Sequence, residues 1–222
     1  MTESVWENYY DRKENQRLAP DEDVARFLGQ LPYDRREDLR VLDFGSGDCR
    51  NGWIIRRFFP YADLVGCDLF FDAFKKSMNR GFYSEFTDHP PIIRHNPFSI
   101  VIDCMTSQHF PWAEHPAHFQ RMYDCLKPGG WYFLKHLNDF CSDVLEQDEV
   151  SRFTWDNIRE SPSACYPNNG VVCMPHHDWL TELLARTFSV KRNYTLQRAE
   201  YMLNGEELRR FAHSIIFCQK PA

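Results

Sequence analysis

The residues best able to do chemistry fall in a few short stretches. In "VLDFGSGDCRNG", Val41 to Gly52, a short apolar run ends in Asp43 and a turn with Gly45 and Gly47 follows. A strand that passes through a glycine turn into a helix offers main-chain N–H groups at the helix N-terminus, and glycine lets a ligand lie against the backbone. Asp68 closes the next apolar run, "ADLVGCDL". His109, preceded by Gln108 in "DCMTSQHF", and His136 in "GWYFLKHL" are the histidines nearest to strand ends. Each could exchange a proton near neutral pH.

The glycine turn restricts the ligand. A phosphate-binding loop needs GxxxxGK[ST], and no such lysine follows the turn. A dinucleotide fingerprint needs a third glycine where the chain has Arg50. Asp43 would repel a diphosphate and suits a cation. A metal is not expected. The closest cluster, Cys165, Cys173, His176 and His177 in "CYPNNGVVCMPHH", lacks the spacing of a tetrahedral zinc site.

Alternating elements must position these groups. "PDEDVARFLGQL" places Val24, Phe27, Leu28 and Leu31 on one helical face behind the acids Asp21 to Asp23. "RVLDF" reads as a strand and "NGWIIRRFF" as a helix. "ADLVGCDL" is the next strand, "FDAFKKSMNR" the next helix, "FYSEF" a weak strand and "FSIVIDCM" a strong one. "HPAHFQRMYDCLKPGG" reads as a helix stopped by Pro128 and its glycines, followed by the strand "GWYFLKHL". "PHHDWLTELLARTF" is another helix. "VKRNYTL" and "HSIIFCQK" follow as an antiparallel edge pair joined by "RAEYMLNGEELRRFA". Such alternation predicts an α/β fold: one Rossmann-like domain, with a seven-stranded, mostly parallel sheet and helices on both faces.

In this order and at these spacings, the stretches resemble the class I S-adenosylmethionine-dependent methyltransferases. "VLDFGSGDC" is similar to that family's D-x-G-x-G-x-G motif, with Cys49 in place of the third glycine. "VGCDL" is similar to its acidic second-strand end, "FSIVIDCMTSQHF" to its fourth strand and the loop after it, and "CLKPGGWYFL" to its turn into the fifth strand. The resemblance implies S-adenosyl-L-methionine as cofactor and S-adenosyl-L-homocysteine as product. It places Asp43, Gly45, Ser46, Gly47, Asp68, Leu69, Asp88, Asp103, Cys104 and Met105 at the cofactor, with Asp68 on the ribose. His109 and then His136 are the candidate bases for in-line methyl transfer.

Attachments to such a core choose the acceptor. Residues 1–37 carry Trp6, Tyr9 and Tyr10 on a polar helical segment and read as a lid on the main domain, 38–222. The stretch 138–178 is too long for a plain connection and reads as an acceptor-pocket insertion. Tyr10, Gln108, Tyr166 and His176 are the candidate acceptor contacts. The chain has 222 residues, which suits one domain, and a formal charge of −6. That charge disfavours a nucleic-acid partner. No apolar run approaches a bilayer span, so a cytoplasmic monomer or homodimer acting on a small molecule, with no membrane partner, is expected. An RNA or protein methyltransferase, and a cofactor-binding protein without catalysis, are the alternatives.

Overall fold

The computed structural model describes residues 20–68, 82–87, 97–138, 160–162, 171–201 and 207–222. The strands are β1 (Arg40–Phe44), β2 (Asp63–Cys67), β3 (Glu85–Thr87), β4 (Phe98–Cys104), β5 (Leu126–Leu137), β6 (Glu160–Pro162), β7 (Val171–Cys173), β8 (Ser189–Tyr201) and β9 (Glu207–Gln219). Seven of them form one sheet in the order β3-β2-β1-β4-β5-β9-β8, and β6 and β7 form a separate antiparallel pair. Strands β1 to β5 run parallel; β9 is antiparallel to both β5 and β8. The fold is thus the expected Rossmann-like one, with the antiparallel hairpin at its C-terminal edge.

Helices α1 (Glu22–Leu28), α2 (Arg50–Phe58), α3 (His115–Cys125) and α4 (His177–Ala185) lie on two faces. Side chains of a strand alternate between faces, and helices cover both, so the central strands read as continuous apolar runs. Every residue of β4 is buried. Ile100 and Ile102 join Val41, Leu64, Phe133 and Phe217 under α1 and α2. Val101 joins Leu42, Val65, Leu134 and Ile216 under α3 and α4. A register shift between Phe98 and Ile100, opposite the Lys127–Gly130 turn of β5, sends Phe98 to the same side as Val101. Each such side chain contributes about 1.5–3 kcal/mol when fully buried.

Several boundaries differ from the sequence reading. Helix α3 ends at Cys125, because Leu126 already pairs with Phe98 as the start of β5. The final hairpin continues through most of its expected connection, leaving only 202–206 between the strands. Antiparallel strands keep exchanging main-chain hydrogen bonds as they extend, and need no covering helix to do so. Residues 1–19 of the expected lid segment lie outside the described residues, and its remaining helix α1 packs on the sheet. Val24, Phe27 and Leu28 are buried with β1, and the Phe27 ring packs against Trp131, Phe133 and Phe217. The helix expected at 71–80, and Tyr10, Leu69, Asp88 and Tyr166, lie outside the described residues. Among the described residues no helix is long and apolar enough to cross a membrane.

Candidate active site

The glycine turn leaves β1 between the ends of its two neighbours. The Gly45 N–H donates to the Cys67 carbonyl at 2.7 Å and the Ser46 N–H to the same oxygen at 3.1 Å. The Gly47 N–H donates to Asp68 Oδ2 at 2.7 Å, so Asp68 holds the turn as well as facing the site. From the other side, Thr106 Oγ1 donates to the Phe44 carbonyl at 3.1 Å. Left-handed backbone recurs at Gly45 (φ 68°), Gly47 (φ 51°) and Cys49 (φ 60°). Cys49, a non-glycine residue, thus holds the left-handed conformation that glycine adopts most readily.

Gly45 is required by the protein as much as by a ligand. A Cβ there would lie 1.9 Å from Thr106 Oγ1 and 2.2 Å from its Cγ2. We expect Gly45→Ala to destabilise the fold by about 3 kcal/mol or more, from overpacking added to left-handed strain. Chemical denaturation checks this; an unshifted midpoint would mean that the turn relaxes freely.

Asp43 sits beneath the turn and is 1 % exposed. Its Oδ2 accepts the Tyr83 hydroxyl at 2.5 Å. Its Oδ1 is buried with no hydrogen-bond partner among the described residues, and Ser46 Oγ in the turn is in the same condition. Buried polar atoms are almost always satisfied, and a polar ligand at the turn would satisfy this pair. A cationic N–H donor matches Asp43. Burial pushes the Asp43 carboxyl up to about 7, against the Tyr83 hydrogen bond and the Arg50 charge, which pull it down. The arrangement fits S-adenosylmethionine: Asp43 for its ammonium, Gly45, Ser46 and Gly47 along the main chain, and Asp68 beside them.

The end of β4 divides between faces. Asp103 is fully buried, and its carboxylate is taken by His118 Nε2 at 2.9 Å, the Tyr132 hydroxyl at 2.9 Å and the Ser107 N–H at 3.1 Å. It is a structural hub, with no side-chain oxygen turned to a ligand. Burial drives the Cys104 thiol far above its ordinary range, and its side chain packs toward α1 and α2. Met105 follows in a left-handed conformation, its N–H on the Lys135 carbonyl at 2.9 Å. The Cys104 side chain is thus turned into the core, while Met105 is partly buried.

Gln108 and His109 form a 3-10 turn just beyond. Gln108 is fully buried, and its Oε1 accepts the Leu137 N–H at 3.2 Å. A main-chain N–H requires an oxygen, so the amide NH₂ is the group that faces His109 Nε2, 3.4 Å away. The neutral His109 ring then carries its proton on Nδ1. Gln108, expected at the acceptor, instead orients His109. His136, the second candidate base, is fully buried. Its Nδ1 donates to the Leu137 carbonyl at 2.6 Å, and its Nε2 lies 3.1 Å from His115 Nε2. Burial lowers His136 to about 3 and His115 to about 4. Both rings are enclosed in the packing between β5 and α3, and the His136 nitrogens are taken up by Leu137 and His115. His176 accepts the Asp178 N–H at 3.3 Å and caps α4.

Three contributors escape a reading of the sequence. Tyr83 stands just before β3, yet it reaches across to Asp43. The one signal is Gly52 inside α2: a helix-interior glycine costs about 1 kcal/mol and implies close approach, and here a Cβ would lie 2.7 Å from the Tyr83 ring. Thr106 has no pattern of its own. Lys135 is buried on β5 with Nζ 2.8 Å from Asp21 and 2.9 Å from Asp23. The acids read as a helix-opening turn also pin α1 to the sheet.

Residues 10–187 match a family described as a methyltransferase domain. No protein with a curated description is matched. Among solved structures, the chain is similar to the 1,6-didemethyltoxoflavin-N1-methyltransferase of Burkholderia thailandensis, solved with 1,6-didemethyltoxoflavin and S-adenosylhomocysteine bound. That match has a TM-score of 0.64 and 14% identity, over 99% of this chain and 86% of that one. A cyclopropane synthase of Mycobacterium tuberculosis gives 0.63 and 14%, over 88% and 78%. An N-methyltransferase of Bradyrhizobium japonicum gives 0.55 and 10%, over 90% and 96%.

Proposed function

Given that the chain belongs to the methyltransferase-domain family, we propose that it transfers a methyl group to an oxygen or nitrogen of a small molecule. It is an S-adenosylmethionine-dependent enzyme. The bound cofactor supplies a methyl carbon already activated by its sulfonium. The protein has to hold the donor, align the acceptor and keep water out.

The observation that carries the small-molecule reading is the cover over the Gln108–His109 turn. β7, from the long insertion, packs on that turn. His109 is left 8 % exposed and Met174, just after β7, 1 %. An acceptor that meets His109 under such a cover is compact. The 1,6-didemethyltoxoflavin bound in the Burkholderia thailandensis structure supports this reading, as does the net charge of −6, which disfavours RNA. Within it, His109 is the side chain proposed to meet the acceptor, with Gln108 against its Nε2.

The test is incubation of the purified chain with methyl-labelled S-adenosylmethionine and separate small-molecule, RNA and protein fractions. Label should enter the small-molecule fraction. Label confined to RNA or polypeptide would overturn the reading.

A further inference from the structure

Tyr83 belongs to no motif of the sequence, yet it makes a 2.5 Å contact to the acid of the glycine turn. Its seat is specific. Gly52 of α2 leaves the space its ring occupies, and Phe82 borders the same glycine. Tyr83 occupies one Asp43 oxygen and leaves the other, Oδ1, buried without a hydrogen-bond partner among the described residues. A carboxylate rotated freely could meet a ligand with either oxygen or with both. One clamped by a seated hydroxyl offers a single oxygen in a fixed place.

We propose that Tyr83 is a positioning residue of the cofactor site: it clamps Asp43 so that Oδ1 is reserved for the ammonium of the donor's amino-acid end. The ammonium is the fitting partner, because Oδ1 lacks a hydrogen-bond donor among the described residues and the sulfonium has no N–H to give. The groups that act on Asp43 are Tyr83 ahead of β3, Asp48 and Arg50 at the start of α2, Asp68 after β2 and Cys104 on β4. The Tyr83 hydroxyl and Arg50 favour the carboxylate, while burial, Asp48 and Asp68 favour the acid. Removing the hydroxyl therefore both unclamps Asp43 and makes it keep its proton to higher pH. A protonated Asp43 binds an ammonium poorly, so affinity should rise with pH across the Asp43 titration near 7.

The experiment is calorimetric titration of wild type and Tyr83→Phe with two probes across pH 6 to 8. S-adenosylhomocysteine has the ammonium; 5′-methylthioadenosine shares the nucleoside and lacks the amino-acid end. Tyr83→Phe should weaken S-adenosylhomocysteine about tenfold at pH 7, the scale of one hydrogen bond to a charged group, and move its pH-dependent rise upward. Binding of 5′-methylthioadenosine should not change. Equal weakening of both probes would reduce Tyr83 to general support of the turn, and no weakening would remove it from the site. Both outcomes overturn the proposal. Failure of the wild type to bind S-adenosylhomocysteine would instead overturn the placement of the cofactor site at Asp43.

Discussion

Asp43→Asn should lower the affinity for S-adenosylhomocysteine about a hundredfold and, at the same time, make the ligand-free protein more stable at pH 8. The first effect follows from removing the charge that faces the ammonium, worth about 1.5–3 kcal/mol for a hydrogen bond to a charged group. The second follows from proton linkage. Burial lifts the folded-state Asp43 from 3.8 to about 7, so the native protein holds this proton longer than the unfolded chain does. Stability therefore falls as pH rises from 3.8 toward 7, and the full penalty of a buried carboxylate is present above that. An amide has no such penalty, although its NH₂ gains an unmet donor. A net gain of about 1–2 kcal/mol at pH 8 is expected, shrinking toward pH 5, where the wild type is already protonated. Denaturant titrations at both pH values and calorimetry with S-adenosylhomocysteine check the two halves. Unchanged affinity would show that Asp43 serves the fold alone.

Asp103→Ala should cost about 3–5 kcal/mol of stability, the scale for breaking a buried charged network by removing one partner. Alanine leaves the His118 ring, the Tyr132 hydroxyl and the Ser107 N–H without the carboxylate they share. His118 is also packed between the Phe44 and Phe110 rings, so its displacement disturbs the end of β1 next to the glycine turn. The pH dependence runs opposite to that of Asp43. Burial alone would raise the Asp103 carboxyl, but the His118 ring, the Ser107 N–H and the Tyr132 hydroxyl outweigh it and hold it below 3.8. The stability it confers is present above the unfolded value of 3.8 and is lost as pH falls through the lower folded value. Acid unfolding of the variant should therefore be shallower than that of the wild type. A loss under about 1 kcal/mol would show that the carboxylate is not a structural hub.

Some of this protein is determined along the chain, because its physics is local. Continuous apolar runs place β1, β2 and β4, and the 3.6 period places the apolar faces of α1 and α2. The glycine turn after Asp43 is legible because left-handed backbone favours particular residues at Gly45 and Gly47. Even the carboxylates proposed for the cofactor, Asp43 and Asp68, can be found, since a residue that ends a parallel strand sits at the rim where ligands bind. What a side chain does there is another matter. Asp43, Asp103 and His136 all read as strand-end polar groups. Asp43 keeps an oxygen without a hydrogen-bond partner among the described residues, whereas Asp103 and His136 are closed in by α3. Strand alternation and the packing of a helix from elsewhere in the chain decide between them. Tyr83 meets Asp43 across 40 residues and Lys135 meets Asp21 across 114. A hydrogen bond has no sequence signature when its partners are brought together only by the order of strands in the sheet. The tertiary structure therefore decides which acids bind a ligand and which hold the protein together.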